Sequence, residues 1–206
     1  PHFIGRTEPL ARLRRAWDIA CGGKRAIVWV AGEPGIGKTT LIEQFIASLG
    51  DVACARGQCV EHYGMGEPYL PVLEALEELC RSDGEVPSLL RAVAPTWLLQ
   101  LPWLSTTEER EALRRELAGV SPDRMLREMG QFLDRYTEHR PLLLVTEDLH
   151  WSDRATIQLI DYVGVDVFQF IEGVMDHYLD EKLRNATIDR MMELKAAGGQ
   201  RPDGSQ

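Results

Sequence analysis

The segment Gly32-Glu33-Pro34-Gly35-Ile36-Gly37-Lys38-Thr39 constrains this chain more than any other. It fits the pattern GxxxxGK[ST] without a gap, and its flanks suit it. Residues 25–31 (RAIVWVA) form a short, nearly continuous apolar run, the pattern of a strand buried on both faces of a parallel sheet. Residues 38–49 read as a helix with Leu41, Ile42, Phe45 and Ile46 inward, ended by Gly50. A strand, a glycine turn and a helix in that order make a phosphate cradle. Glycines adopt positive φ and bring backbone N–H groups close to phosphate oxygens. The helix points its positive end at the same place. Lys38 brings a mobile charge for the β- and γ-phosphates, and Thr39 a hydroxyl for Mg²⁺. The nucleotide-binding residues expected here are 32–39 with the adjoining Thr40.

A second chemical signal lies downstream. Residues 141–146 (PLLLVT) read as another buried strand, and it ends in Glu147-Asp148. Open α/β sheets bind ligands at the carboxyl ends of their strands, so the strand carries two carboxylates to the functional end of the sheet. By position Glu147 is the acid on the metal side and Asp148 the base that orients and deprotonates the attacking water. The reverse order stays open, because Glu is a long side chain for the metal position. Lys38, Glu147 and Asp148 are the catalytic candidates, and Thr39 and Glu147 the metal ligands.

Around these motifs the chain alternates elements in the α/β manner. Helices are expected over residues 8–21, 71–81 and 154–162, with a second strand over 52–59 and a loop over 61–70. From 86 to 119 the chain is helical in pieces, broken at Pro95 and Pro102. Ser121-Pro122 opens an amphipathic helix whose face is Met125, Leu126, Met129, Phe132, Leu133 and Tyr136. At 206 residues and 44% hydrophobic, the chain can build one sizeable core. A formal net charge of -9 argues against sequence-independent nucleic-acid binding by this segment. No run approaches the roughly 18–20 apolar residues of a membrane span. Cys21, Cys54, Cys59 and Cys80 form no CxxC pair, which fits a reduced, cytoplasmic protein. Cys54, Cys59 and His62 have the wrong spacing for a common zinc site. A chain opening on Pro1 reads as a piece of something longer.

Three further segments carry a family resemblance. Residues 3–10 (FIGRTEPL) resemble the box that opens AAA-type and STAND-type ATPase domains. Residues 57–64 (GQCVEHYG) with 68–71 (PYLP) resemble the stretch after the second strand in bacterial regulators of that kind, and residues 147–153 (EDLHWSD) resemble their signature after the acidic strand. Together with the glycine loop these cover residues 2–163. The chain is similar to the origin-recognition-like AAA ATPase domain of large LuxR-type and adenylate-cyclase-associated regulators. The resemblance implies a three-layer P-loop NTPase sandwich around a parallel sheet, with Mg-ATP as ligand. It places Arg6 near the adenine, and it implies that His150, Trp151 and Asp153 hold the segment after the acids. It further implies association with other protein domains or with copies of itself.

The tail departs from that family, which continues with a strand carrying a polar sensor residue. Phe168, Ile171, Met175 and Tyr178 are spaced for a helix, although residues 165–170 are β-prone by composition. The expectation is therefore a core over 1–163 with a helical insertion at 71–137, a helical tail over 164–197 and disorder over 198–206. The sheet would then be incomplete on its C-terminal side, and hydrolysis slow.

Overall fold

The computed structural model describes residues 7–61, 67–119, 122–164 and 168–171. The chain divides into two compact units. One comprises Pro1–Val52 with Gly164–Gln206, the other Ala53–Val163.

In the first unit, helix α1 (Thr7–Cys21) leads to strand β1 (Ile27–Val30), and helix α2 (Lys38–Leu49) follows the glycine loop. Leu13 and Ala16 of α1 and Leu41 and Phe45 of α2 are buried. Arg14 ties the two helices together, donating from Nη2 to the Ser48 carbonyl at 3.1 Å and to Ser48 Oγ at 3.2 Å. Strand β1 is half-buried at all four positions rather than enclosed on both faces.

The tail corrects the expectation at one place. Phe168–Ile171 is strand β4, not helix, and it pairs in parallel with β1, Ile27 opposite Phe168 and Val30 opposite Ile171. The open backbone edge of β1 supplies hydrogen-bond partners that a helix would leave unmet, and the β-prone composition of 165–170 agrees with it. The other helical positions named for the tail, and the disorder expected over 198–206, lie outside the described residues.

The second unit carries the main core. Strands β2 (Ala53–Gln58) and β3 (Leu142–Glu147) pair in parallel, Ala53 opposite Leu142 and Gln58 opposite Glu147. The crossover between them holds α3 (Leu70–Ser82), α4 (Val86–Val93), α5 (Pro95–Leu98), a single 3₁₀ turn (Pro102–Leu104), α6 (Thr107–Glu116) and α7 (Pro122–Thr137). Helix α8 (Arg154–Val163) follows β3. Pro95 and Pro102 each stand in the first turn of a new helical piece, so they end one segment by starting the next. Trp97 is fully buried, its ring edge-on to Tyr69 at 5.0 Å and its Nε1 donating to the Met125 carbonyl at 2.8 Å. In β3 Val145 is buried while Leu144 is 45% exposed, so the run expected to be buried throughout is buried on one side.

Helix α3 lies against β2 with its acidic side chains on the strand. Glu78 Oε2 accepts from the Arg56 N–H and Glu74 Oε2, at 2.7 Å, from the Gln58 N–H. Two backbone donors on the β2 edge away from β3 are thereby satisfied by a helix instead of another strand. Gly57 makes the approach feasible: a Cβ built there would fall on the backbone of Pro71. At the far end of α3, Asp83 forms an ion pair with Arg140, whose guanidinium carbon sits 4.4 Å from the centre of the Tyr136 ring. The Asp83 carboxyl is held below its ordinary value, first by the Glu85 backbone N–H and further by Arg140.

Two outcomes are expected. Gly57→Ala lowers unfolding stability by about 2–3 kcal/mol in urea titration, whereas Gly84→Ala, where a Cβ meets nothing within 4 Å, has little effect. The Asp83 contribution is complete above its unfolded pKa and is lost as the pH falls through the lower folded value. Asp83→Asn therefore destabilises the chain at neutral pH and makes its stability less steep in acid, measured as thermal midpoints from pH 7 downward.

Candidate functional site

The glycine loop joins β1 to α2, and its geometry follows from its glycines. Gly35 and Gly37 have φ of 79° and 88°, in the left-handed region that side chains rarely adopt. The Glu33 carbonyl accepts from the Ile36 N–H at 3.3 Å, which closes the turn. Lys38 folds back over the loop, with Nζ donating to the Gly32 carbonyl at 2.8 Å and the Glu33 carbonyl at 3.1 Å. A Cβ on Gly32 would lie 3.0 Å from Ile36 Cγ2, a tight approach, and in ordinary contact with the Lys38 stem. No side chain caps α2, and its first turn carries no acidic residue, so the positive helix end is not neutralised from within. Thr39 and Thr40 are exposed at that end. A glycine turn, an ammonium and an uncapped helix start side by side are an electrostatic setting that favours an anion. Arg6 lies outside the described residues.

The acidic pair ends β3 in the second unit. Glu147 is half-buried, and its carbonyl accepts from the Cys59 N–H at 3.0 Å, the last link to β2. Asp148 leaves the strand in the left-handed region, with φ of 53° and ψ of 39°, and its carbonyl accepts from the Trp151 N–H at 2.9 Å. That turn points the chain away from the sheet and exposes the carboxylate. Gln58, at the end of β2, donates from Nε2 to Asp148 Oδ2 at 2.9 Å. No role was read for Gln58 in the sequence, although it lies in the segment 57–64 that carries the resemblance and at the end of the strand neighbouring the acids.

Beyond the acids the motif is structural. Asp153 caps α8: Oδ1 accepts from the backbone of Ala155 at 2.9 Å and of Thr156 at 3.0 Å. Its Oδ2 accepts from the hydroxyl of fully buried Thr156 and, at 3.2 Å, from the Tyr69 N–H. Tyr69 itself has φ of 65° at the start of α3. Asp153 therefore joins α8 to the entry of α3. Trp151, which the resemblance implies holds this segment, is 45% exposed, its ring 4.9 Å from that of exposed His150. Burial raises the Cys59 thiol above its ordinary value, against a hydrogen bond with Ser152, so it stays protonated and unreactive near neutral pH. His62 lies outside the described residues. Among the described residues no group of three or more His, Cys, Asp and Glu could hold a metal by itself, and no helix is long and apolar enough to cross a membrane.

With the loop and the acidic strand end in view, a comparison with known families is decisive. The profile of the AAA ATPase domain matches residues 2–164. The chain belongs to that family. The match takes in the glycine loop, the acidic pair and the Asp153 cap, and membership implies nucleotide binding. Comparison with curated proteins and with solved structures gave no significant match. The described strands form two parallel pairs, β1 with β4 and β2 with β3, each flanked by helices, which agrees with the α/β class read from the sequence.

Asp153→Ala is expected to lower stability by about 2 kcal/mol, since it removes a helix cap and strands the buried Thr156 hydroxyl. Chemical denaturation measures it, and Asp153→Asn, which keeps the acceptor oxygen, loses less.

Proposed function

We propose that the chain is a Mg-ATP-binding, STAND-type segment of a signal-transduction or transcription regulator, with slow hydrolysis. The Lys38 ammonium folded over the Gly32 and Glu33 carbonyls, at the uncapped start of α2, carries this reading. Residues 32–40 take the phosphates, Lys38 pairing with the β- and γ-phosphate oxygens. Thr39 and Glu147 are the metal ligands, and Asp148 orients and deprotonates the attacking water. When bound, Mg²⁺ neutralises charge on the β- and γ-phosphates. Gln58 supports slow turnover, because its amide already occupies an acceptor position on Asp148 Oδ2 that an attacking water would need. The tail does supply a strand, since β4 pairs in parallel beside β1.

Lys38→Ala is expected to reduce ATP affinity roughly ten- to hundredfold, since a charge-assisted contact of this kind contributes ~1.5–3 kcal/mol. Isothermal titration with and without Mg²⁺ measures this, and unchanged affinity in a folded variant refutes the assignment. Asp148→Asn keeps binding and removes phosphate release, whereas Glu147→Gln weakens the Mg²⁺ dependence of binding. Swapped phenotypes reverse the roles of the two acids. Gln58→Ala raises phosphate release if the amide restrains the base. Tight binding with no release in any variant assigns ATP the part of a switch ligand.

A further inference from the structure

Away from both motifs, α4, α6 and α7 border an open cleft of about 670 Å³ in the second unit. Its walls combine an apolar surface, including Val93 and Leu113, with the guanidinium groups of Arg91, Arg124 and Arg127. Cations around one cleft repel one another unless something holds them or something negative sits between them. Two of the three are held. Arg91 Nη2 donates to the Leu104 carbonyl. Arg124 Nε donates at 2.6 Å to Glu128 Oε1, and that carboxylate is 5% exposed. Glu128 is itself fixed by the Thr96 N–H at 2.8 Å and the Thr96 hydroxyl at 3.0 Å.

The consequence is an unequal balance of donors and acceptors. Glu128 engages Thr96 and Arg124 Nε, and the terminal nitrogens of Arg124 have no partner among the described residues. Arg127, one turn further along α7, has none for any of its nitrogens there. Glu116 is the other carboxylate on the wall and makes no ion pair among the described residues. A buried acid that locks one arginine in place beside a second, unengaged arginine is an arrangement for binding an anion. The volume lies in the range of small-molecule sites, and the apolar wall fits a hydrophobic body.

We propose that this cleft binds a small organic anion, with a carboxylate-, sulfonate- or phosphate-type head on Arg124 and Arg127 and an apolar body against Val93 and Leu113. The site is separate from the glycine loop and does not rest on the ATP reading. A ligand seated there bridges three helices of the crossover and stabilises their packing.

The test titrates the 206-residue chain with anilinonaphthalenesulfonate, whose sulfonate and fused rings have both features, and follows its fluorescence. Saturable binding is expected for the wild type and for Lys38→Ala alike. Arg127→Glu lowers the affinity about tenfold or more, and Arg127→Lys lowers it less. Arg127 is exposed, so these variants keep the wild-type circular dichroism, whereas removing Arg124 would leave Glu128 buried without its cation. Benzoate displaces the dye and benzyl alcohol does not. Wild-type affinity in Arg127→Glu, absence of saturable binding by the wild type, loss of binding in Lys38→Ala, or equal displacement by both competitors overturns the proposal.

Discussion

At Gly57 the backbone of β2 meets the backbone of Pro71 with no room for a Cβ, and the second unit is organised around that contact. It brings the start of α3 onto the strand, so that Glu74 and Glu78, one helical turn apart, both reach N–H groups on the strand edge. An edge closed by carboxylates cannot recruit another strand, and among the described strands β2 pairs with β3 alone. That pairing sets Gln58 opposite Glu147 and beside Asp148. One missing methyl group thus propagates from a packing contact to the position of a candidate base.

The two chemical motifs are built by different physical means. The glycine loop is local: three glycines of positive φ, a lysine that reaches back to its own loop, and a helix that starts without a cap. Nearly all of its geometry arises within a dozen residues. The acidic strand end is non-local. Asp148 depends on Gln58 from another strand, and the chain after it depends on Asp153, which reaches forward to α8 and back to Tyr69 at the head of α3. Strain at Tyr69 and Asp148, both with positive φ, is borne where these long-range bonds converge.

The crossover between β2 and β3 adds a layer of its own. Its prolines open helices, Trp97 anchors the centre, and Glu128 gathers Thr96 and Arg124 around a buried carboxylate. A buried acid is tolerated only with its donors in place. The same carboxylate that completes the start of α5 therefore holds the Arg124 side chain at a cleft wall.

By itself the sequence determined the elements whose signals are local. The glycine loop and its flanking strand and helix, the strand ending in Glu147-Asp148, the amphipathic α7 and the breaks at Pro95 and Pro102 are written in periodicity, turn chemistry and spacing, which act over a few residues. The AAA ATPase family was legible for the same reason, because its motifs are contiguous. Only the tertiary structure decided what depends on contact order. The stretch at 168–171 has helical spacing and β-prone composition at once, and the open edge of β1 settled it as strand. The partnership of Gln58 with Asp148 spans 90 residues, and that of Glu128 with Thr96 spans 32. No local pattern encodes either, because each exists only after the chain between the partners has packed.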